Sequence, residues 1–420
     1  MHLARYKSVL GLPGMKTFML VALIARIPGT AWTTALTLSV VLDRHLSYAA
    51  AGAATAMFTV GLACGSPLLG RTIDRRGPRP VLLVTGVISL LFWNLVPDLP
   101  YPALLACAVF CGALQVPIMT LVRQSLAQRV PESERRQAYS LDSMAVELSF
   151  MVGPALAVLA ITSLGEATST LRVVGFGIAG GAAVLYTYSR RQDAAAGGAA
   201  GALEAEAEAA GAEAEPNWLA PSFLLILAVC TACCVILSAT DVAIVAVLRQ
   251  HGQVAFAGLV VIAWCAASLV GGFVHGALPR PVPMAVLLLL LGALSTLVGL
   301  ADTWWVLCLS VIPAGLACAP TISSTVDAVS RAVSPSRRGQ AMGLHAAALT
   351  VGSAIGAPVI GVVIDASSPA WGMTAVGLLG CAVALIALVL SRRVHAASAA
   401  DAVRVEALSE APREAVLERA

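Results

Sequence analysis

Apolar residues run through this chain in blocks of about twenty, separated by short polar breaks or by Pro and Gly. That is the length at which an α-helix crosses a hydrocarbon core of roughly 30 Å. The blocks are rich in Ala, Leu and Val and lack strict alternation, which predicts helices and not barrel strands. Read this way, the pattern predicts twelve helices, over 16–41, 48–70, 80–97, 102–126, 138–163, 170–189, 219–248, 254–277, 283–300, 304–328, 340–364 and 370–391. They are called helix 1 to helix 12 below.

Composition sharpens the picture. Of 420 residues, 59% are hydrophobic and 12% charged, against about 25% charged in a soluble domain. A chain this apolar is stable in lipid because helices satisfy their own backbone groups. The ten cysteines (Cys64, Cys107, Cys111, Cys230, Cys233, Cys234, Cys265, Cys308, Cys318 and Cys381) all fall inside apolar blocks and read as small packing residues. Cys230, Cys233 and Cys234 have no second Cys or His pair to complete a tetrahedral set. No metal site and no cofactor is therefore expected. The first apolar run is too long for a cleavable signal peptide and lacks a small-residue cleavage site.

Charge sets the expected orientation. With the N-terminus placed in the cytoplasm, that side holds Arg5, Lys7, Arg71, Arg75, Arg76, Arg79, Arg129, Arg135, Arg136, Arg190, Arg191, Arg280, Arg331, Arg337, Arg338, Arg392 and Arg393. Arg44, Arg172 and Arg249 fall on the other. The positive-inside rule then puts both termini in the cytoplasm of a multi-pass inner-membrane protein. Trp304, Trp305 and Trp371 fall at the predicted outer interface, where indoles are favoured. Residues 192–217 are Ala, Gly and Glu and read as a flexible acidic cytoplasmic linker. It divides an N-terminal six-helix bundle (1–191) from a C-terminal one (218–393), followed by a cytoplasmic tail (394–420). The halves repeat at an offset of 203 residues, which pairs Gly112 with Gly315, Pro117 with Pro320, Arg135 with Arg338, Gln137 with Gln340 and Gly153 with Gly356. Parallel six-helix repeats are one transporter layout, with the binding site near mid-membrane between them.

Between helices 2 and 3 lies Gly70-Arg71-Thr72-Ile73-Asp74-Arg75-Arg76-Gly77-Pro78-Arg79. It resembles the signature loop of the major facilitator superfamily, with Pro78 where that family has a basic residue. The physics suits a gate: Gly70 lets two helices approach, Gly77 permits a tight turn, and Asp74 can hold a cation or a helix N-terminus in one conformer and release it in another. The equivalent loop from Gly272 to Arg280 has lost the acid. Helix 5 carries Gly153-Pro154, similar to the antiporter motif of drug:proton exporters, and helix 11 has Gly352, Gly356, Pro358 and Gly361. Plain helix packing is the competing reading of these small residues. Arg26-Ile27-Pro28, the signature loop and Ala138 through Pro154 also resemble a group of exporters known mainly from genomes. The resemblance implies an all-α membrane protein with twelve transmembrane helices in two six-helix pseudo-repeats, the major facilitator fold, in which helices 1, 4, 7 and 10 line a central cavity.

Ionisable residues within lipid need a partner or a task. Arg26 and Glu147 each lie about ten residues into helices 1 and 5, ~15 Å deep, and the resemblance implies that these helices are neighbours, so an Arg26–Glu147 pair is expected. It is either a static ion pair or a proton site in which Glu147 is freed when Arg26 moves. Asp241 in helix 7 is the third candidate for proton coupling. Arg26, Thr30, Thr33 and Thr37 form a polar stripe on helix 1; Ser238 sits on a similar stripe of helix 7, with Gln115 and Met119 in helix 4 and Ser323 and Ser324 in helix 10. These, with Glu147, are the candidate substrate-binding residues, although hydroxyls bonded back to their own helices give the same pattern. The candidate gating residues are Gly70, Asp74, Arg75, Gly77, Arg79, Arg123, Asp142, Gly153, Pro154 and Asp327, with Arg123, Asp142 and Asp327 expected to join Asp74 in an inner gate. His345 reads as a packing or hydrogen-bonded histidine. The expected function is secondary active transport by alternating access, as proton-coupled export of a small, moderately apolar drug or metabolite, with proton-coupled nutrient uptake as the alternative. No Walker loop, metal-ligand cluster or Ser-His-Asp arrangement points to an enzyme. Expected partners are the bilayer, protons and a small-molecule substrate, with no nucleic acid, and the chain is expected to act as a monomer.

Overall fold

The computed structural model describes residues 2–195 and 220–391. The predicted tail and nearly all of the predicted linker fall outside these residues. The twelve predicted helices are present, here α1–α12: Met15–Leu38 (continued by a wider π-helical turn, Ser39–Asp43), Tyr48–Arg76, Pro78–Leu95, Tyr101–Arg129, Arg135–Leu164, Ala167–Ala195, Pro221–Gln250, Ala257–Ala277, Met284–Ser295, Trp304–Ala332, Arg338–Ala366 and Pro369–Ser391. Eleven are long and apolar enough to cross a membrane; with its final 3₁₀ turn, α9 is a shorter apolar helix, Met284–Leu300. There is no strand among the described residues.

Local chemistry explains the irregularities. α4 is interrupted between Ala113 and Ile118, where Pro117 cannot donate and disfavours helical geometry just before it. At Gly77 the chain turns from α2 into α3 with a φ of 77°, a conformation that glycine adopts without strain. Within the N-terminal half α2 packs on α4, α3 on α6, and α1 on α5 and α6; within the C-terminal half α8 packs on α10 and α7 on α11. The repeat governs this packing. Gly112 lies where a Cβ would meet the Phe58 carbonyl oxygen at 2.0 Å, and its counterpart Gly315 where one would meet the Trp264 carbonyl oxygen at 2.9 Å. Two apolar cores result, centred on the two halves.

A short helix not expected from the apolar pattern, His2–Gly11, precedes α1. It lies against both α5 and α8, one from each half. Tyr6 is buried, stacks on Phe273 with ring centroids 5.0 Å apart and donates to the Phe273 carbonyl at 2.7 Å. Burial pushes its phenol up to about 12, so it remains a donor.

Candidate functional site

α5 organises the site, because its two polar stripes face different halves. Ser140, Met144 and Glu147 follow helical spacing and meet Gly276, Gly272 and Ser268 of α8. Asp142, Ser149 and Gly153 lie on the face toward α1. Thr30 Oγ1 lies 2.7 Å from the Ser149 carbonyl oxygen, and a Cβ on Gly153 would fall 2.1 Å from Thr30 Oγ1. Gly153 is therefore the close-approach point of α1 and α5, and Pro154 lies within the same helix.

This division overturns the expected Arg26–Glu147 pair. Five residues separate Asp142 from Glu147, a rotation of roughly 140° on an α-helix, so one of them at most faces α1. Arg26 is buried and pairs with Asp142, Nη2 to Oδ1, at 2.5 Å. Arg123 Nε approaches the other oxygen, Oδ2, at 3.3 Å. Asp142 is fully buried. Arg123 Nη1 in turn donates to His345 Nδ1 on α11 at 3.1 Å.

Glu147 points into the interface between the halves. Its Oε1 accepts from Ser268 Oγ at 2.9 Å and from the Cys318 thiol at 3.4 Å. Ser268 Oγ accepts in turn from the Ala319 N–H at 3.2 Å. Among the described residues Glu147 forms no ion pair. Asp241 is exposed at the far end of α7, in a cleft of about 850 Å³ that also includes Arg249, Gly361 and Asp365.

Asp74 Oδ1 accepts from the Gly339 N–H and Oδ2 from the Gln340 N–H, both at 2.7 Å, and Gln124 donates to Oδ1 at 2.9 Å. The carboxylate of α2 thus caps the first turn of α11, where unpaired N–H groups and the helix dipole favour an anion. Gly70 and Gly339 make this possible: a Cβ on Gly70 would lie 2.2 Å from the Gly339 carbonyl oxygen. Arg75 is exposed and Arg79 half-buried nearby. The expected joining of Arg123, Asp142 and Asp327 to Asp74 does not occur: Arg123 and Asp142 meet each other and Arg26 instead. Asp327 pairs with Arg331 of its own helix, one turn on.

The other candidate lining residues divide. Thr33 is exposed, and Thr37 and Met119 are half-buried. Thr30 is buried against α5, because the Arg26–Asp142 pair fixes the rotation of α1. Gln115 is buried and accepts from Ser89 of α3 at 3.2 Å. Ser238 donates to the Ser353 carbonyl of α11 at 2.8 Å. Ser323 bonds back to the Pro320 carbonyl at 3.1 Å, and Ser324 lies 3.1 Å from His275 Nε2. Thr30, Gln115 and Ser323 thus face packed protein instead of open space, satisfied as hydroxyls and amides in lipid must be.

Sequence reasoning gave His345 no role in the site. It is fully buried and lies within hydrogen-bonding distance of Arg123, Thr325 and Cys230. A signal for it exists: His345 follows Asp142 by the same 203 residues that relate the halves. The side-chain hydrogen bonds joining the halves among the described residues lie between the arginine-rich end and the level of Glu147.

Two repeated six-helix bundles, closed on each other at one end around buried charge, define a membrane transporter and not an enzyme. The model of the Major Facilitator Superfamily matches residues 18–278 and 226–417, and the chain belongs to that superfamily. A search of curated proteins finds no match. Among solved structures, the chain is similar to the human organic anion transporter MFSD10 (TETRAN), with 16% identity over 88% of this chain and 95% of that one and a TM-score of 0.64. It is also similar to a bacterial homologue of the iron transporter ferroportin in an outward-facing state, with 14% identity over 89% and 98% and a TM-score of 0.68. At these identities the likeness is one of fold.

Proposed function

We propose that this chain is a proton-coupled exporter of a small, moderately apolar compound, working by alternating access, with Glu147 as its proton carrier. It sits in the inner membrane with the arginine-rich end in the cytoplasm, so the conformer described here is closed to the cytoplasm. One observation carries the reading. Glu147 is an acid near the middle of α5, held across the interface by Ser268 and Cys318 with no cation paired to it among the described residues. An uncompensated carboxylate in lipid is costly when charged, and a change in the α5–α8 contact alters its surroundings directly. Arg26 is already neutralised by Asp142, so the proton does not need to displace an arginine. Export is favoured over uptake by the Gly153-Pro154 element on α5. The cargoes of the structural relatives, organic anions and iron, differ from each other and do not choose a substrate.

The test uses everted vesicles and a panel of apolar toxic compounds. Collapse of a pre-formed proton gradient on adding a compound marks a substrate. Glu147→Gln keeps the hydrogen bond from Ser268 but cannot exchange a proton, so gradient collapse is lost while substrate binding persists. Unchanged proton-driven transport in Glu147→Gln removes the mechanism. Loss of growth on a nutrient in a deletion strain, without sensitivity to any compound, selects uptake instead.

A further inference from the structure

Arg26, Arg123 and Asp142 come from three helices of the N-terminal half and meet in a fully buried cluster. Two guanidiniums share one carboxylate, which leaves one positive charge uncompensated among the three. Arg123 carries this cluster across to the other half through its bond to His345 Nδ1 at 3.1 Å. A guanidinium has only donors, so Nδ1 must present a lone pair. The proton of the neutral ring then sits on Nε2, 2.9 Å from Thr325 Oγ1. Thr325 directs its own hydroxyl proton to the Ile322 carbonyl at 2.7 Å, which leaves its oxygen to accept. Cys230 Sγ lies 3.4 Å from Nε2, and its thiol points to the His345 carbonyl at 3.8 Å. Donors and acceptors around the ring match for one form, the neutral Nε2–H tautomer.

The surroundings make the bond sensitive to a proton. α4 presents Arg123, α5 presents Asp142 behind it, and α1 presents Arg26 behind that. α7 presents the thiols of Cys230 and Cys234. On α10, Asp327 is engaged by Arg331, and on α2, Asp74 is engaged by the first turn of α11. No carboxylate among these contacts the ring directly, so an imidazolium adds a second uncompensated charge and turns an N–H toward a guanidinium.

We propose that His345 is a second proton-binding site of this protein: neutral, it latches α11 to α4 through Arg123; protonated, it releases the two halves at the arginine-rich end. His345 acts as a positioning residue for the gate. The inference rests on the alternating-access reading above and adds to it a proton that governs the gate apart from the one on Glu147.

The experiment measures the gate and not transport. Residues 133 and 336 occupy equivalent exposed loops of the two halves. Ketone-bearing amino acids introduced there accept nitroxides without involving the native cysteines, and the distance between them is read by pulsed electron paramagnetic resonance in nanodiscs at about pH 8 and about pH 5.5, which bracket imidazole titration. In the otherwise unaltered protein the separated population is expected to grow by about tenfold on acidification, because only the released imidazole takes up the proton and about pH 5.5 lies one unit below the ordinary imidazole value of about 6.5. His345→Gln offers the same acceptor to Arg123 and the same donor to Thr325 but does not titrate, so the short distance holds at both pH values. Should that variant fold poorly, Arg123→Gln supplies the second arm: its amide oxygen accepts from an imidazolium, the latch survives protonation, and the acid response disappears. A pH-independent distance in the unaltered protein, or an acid response that persists in either variant, overturns the proposal. Glu147→Gln keeps the acid response if the latch is His345, even where its transport fails; an acid response abolished by Glu147→Gln assigns the gate proton to Glu147 and refutes the latch.

Discussion

Replacing Asp142 with Asn removes the single carboxylate that holds two buried arginines, and the consequence can be worked from the geometry. The Nη2–Oδ1 distance to Arg26 is 2.5 Å and the Nε–Oδ2 distance to Arg123 is 3.3 Å. At an effective dielectric near 20 these separations correspond to gross attractions of about 7 and about 5 kcal/mol. Most of that offsets the cost of removing three charges from water, and breaking one partner of a buried pair leaves a net loss of about 3–5 kcal/mol. Asp142→Asn should sit at the upper end of this range, because both guanidiniums are then buried uncompensated and repel each other. Taking about 2 °C per kcal/mol for a large chain, the apparent unfolding midpoint in detergent should fall by roughly 6–10 °C. Glu147→Gln, which breaks no ion pair, should shift it by about 2 °C or less. The double variant Arg26→Met/Asp142→Leu, which replaces the pair with apolar groups, should recover at least half of the loss. An Asp142→Asn midpoint within about 2 °C of the unaltered protein, or a larger fall for Glu147→Gln, refutes the assignment of Arg26 to Asp142.

Gly70→Ala places a methyl group 2.2 Å from the Gly339 carbonyl oxygen; it should separate α2 from α11 and raise alkylation of a cysteine introduced at Gln340 by about tenfold, a shift of roughly 1.4 kcal/mol in the gate equilibrium. Asp74→Asn keeps one acceptor for the two N–H groups of α11 and loses the charge that favours its N-terminus, so the same alkylation should rise about threefold, equivalent to a capping contribution of some 0.6 kcal/mol. Tyr6→Ala deletes the stack on Phe273 and the bond to its carbonyl; proteolysis before residue 15 should accelerate, while Tyr6→Phe, which keeps the stack, should show a smaller effect of about 1 kcal/mol. Gly153→Val drives a side chain into Thr30 and should destabilise the α1–α5 contact by about 1–3 kcal/mol, read as a lowered unfolding midpoint.

The twelve crossings were legible because the bilayer enforces a length, and the halves because proline, glycine and glutamine recur at one spacing. The Asp74 loop was legible because its acid sits among arginines at a helix junction. The partner of Arg26 was misread for a geometric reason. Depth along a helix can be counted from the sequence, and it placed Arg26 level with Glu147; rotation about the helix cannot be counted until a neighbour is known. α5 has an acid on each of two faces, and the face that meets α1 is chosen by Gly153 and Ser149, whose small size allows Thr30 to approach. Thr30 was read as a lining residue from helical spacing, and Gln115 and Ser323 from the cavity helices that the resemblance implies, yet each has a protein partner that satisfies it. The N-terminal helix went unpredicted because it spans a single three-turn segment with no apolar block of its own.

The two acids of α5 have different partners, and the proposed mechanism gives them separate tasks. Asp142 lies between two guanidiniums and binds both, so its contribution is structural. Glu147 has hydroxyl and thiol donors but no cation, so its charged form relies on hydrogen bonds that belong to the opposite half. Any motion of α8 against α5 strips those donors away and leaves a carboxylate in an apolar interface, where protonation is the least costly response. The same motion must part Arg123 from His345, since both contacts join the same two bodies. On the proposed mechanism, coupling between proton and gate requires no relay of side chains between Glu147 and His345. It follows from two interfacial contacts that a rigid rocking of the halves cannot keep at once in both conformers.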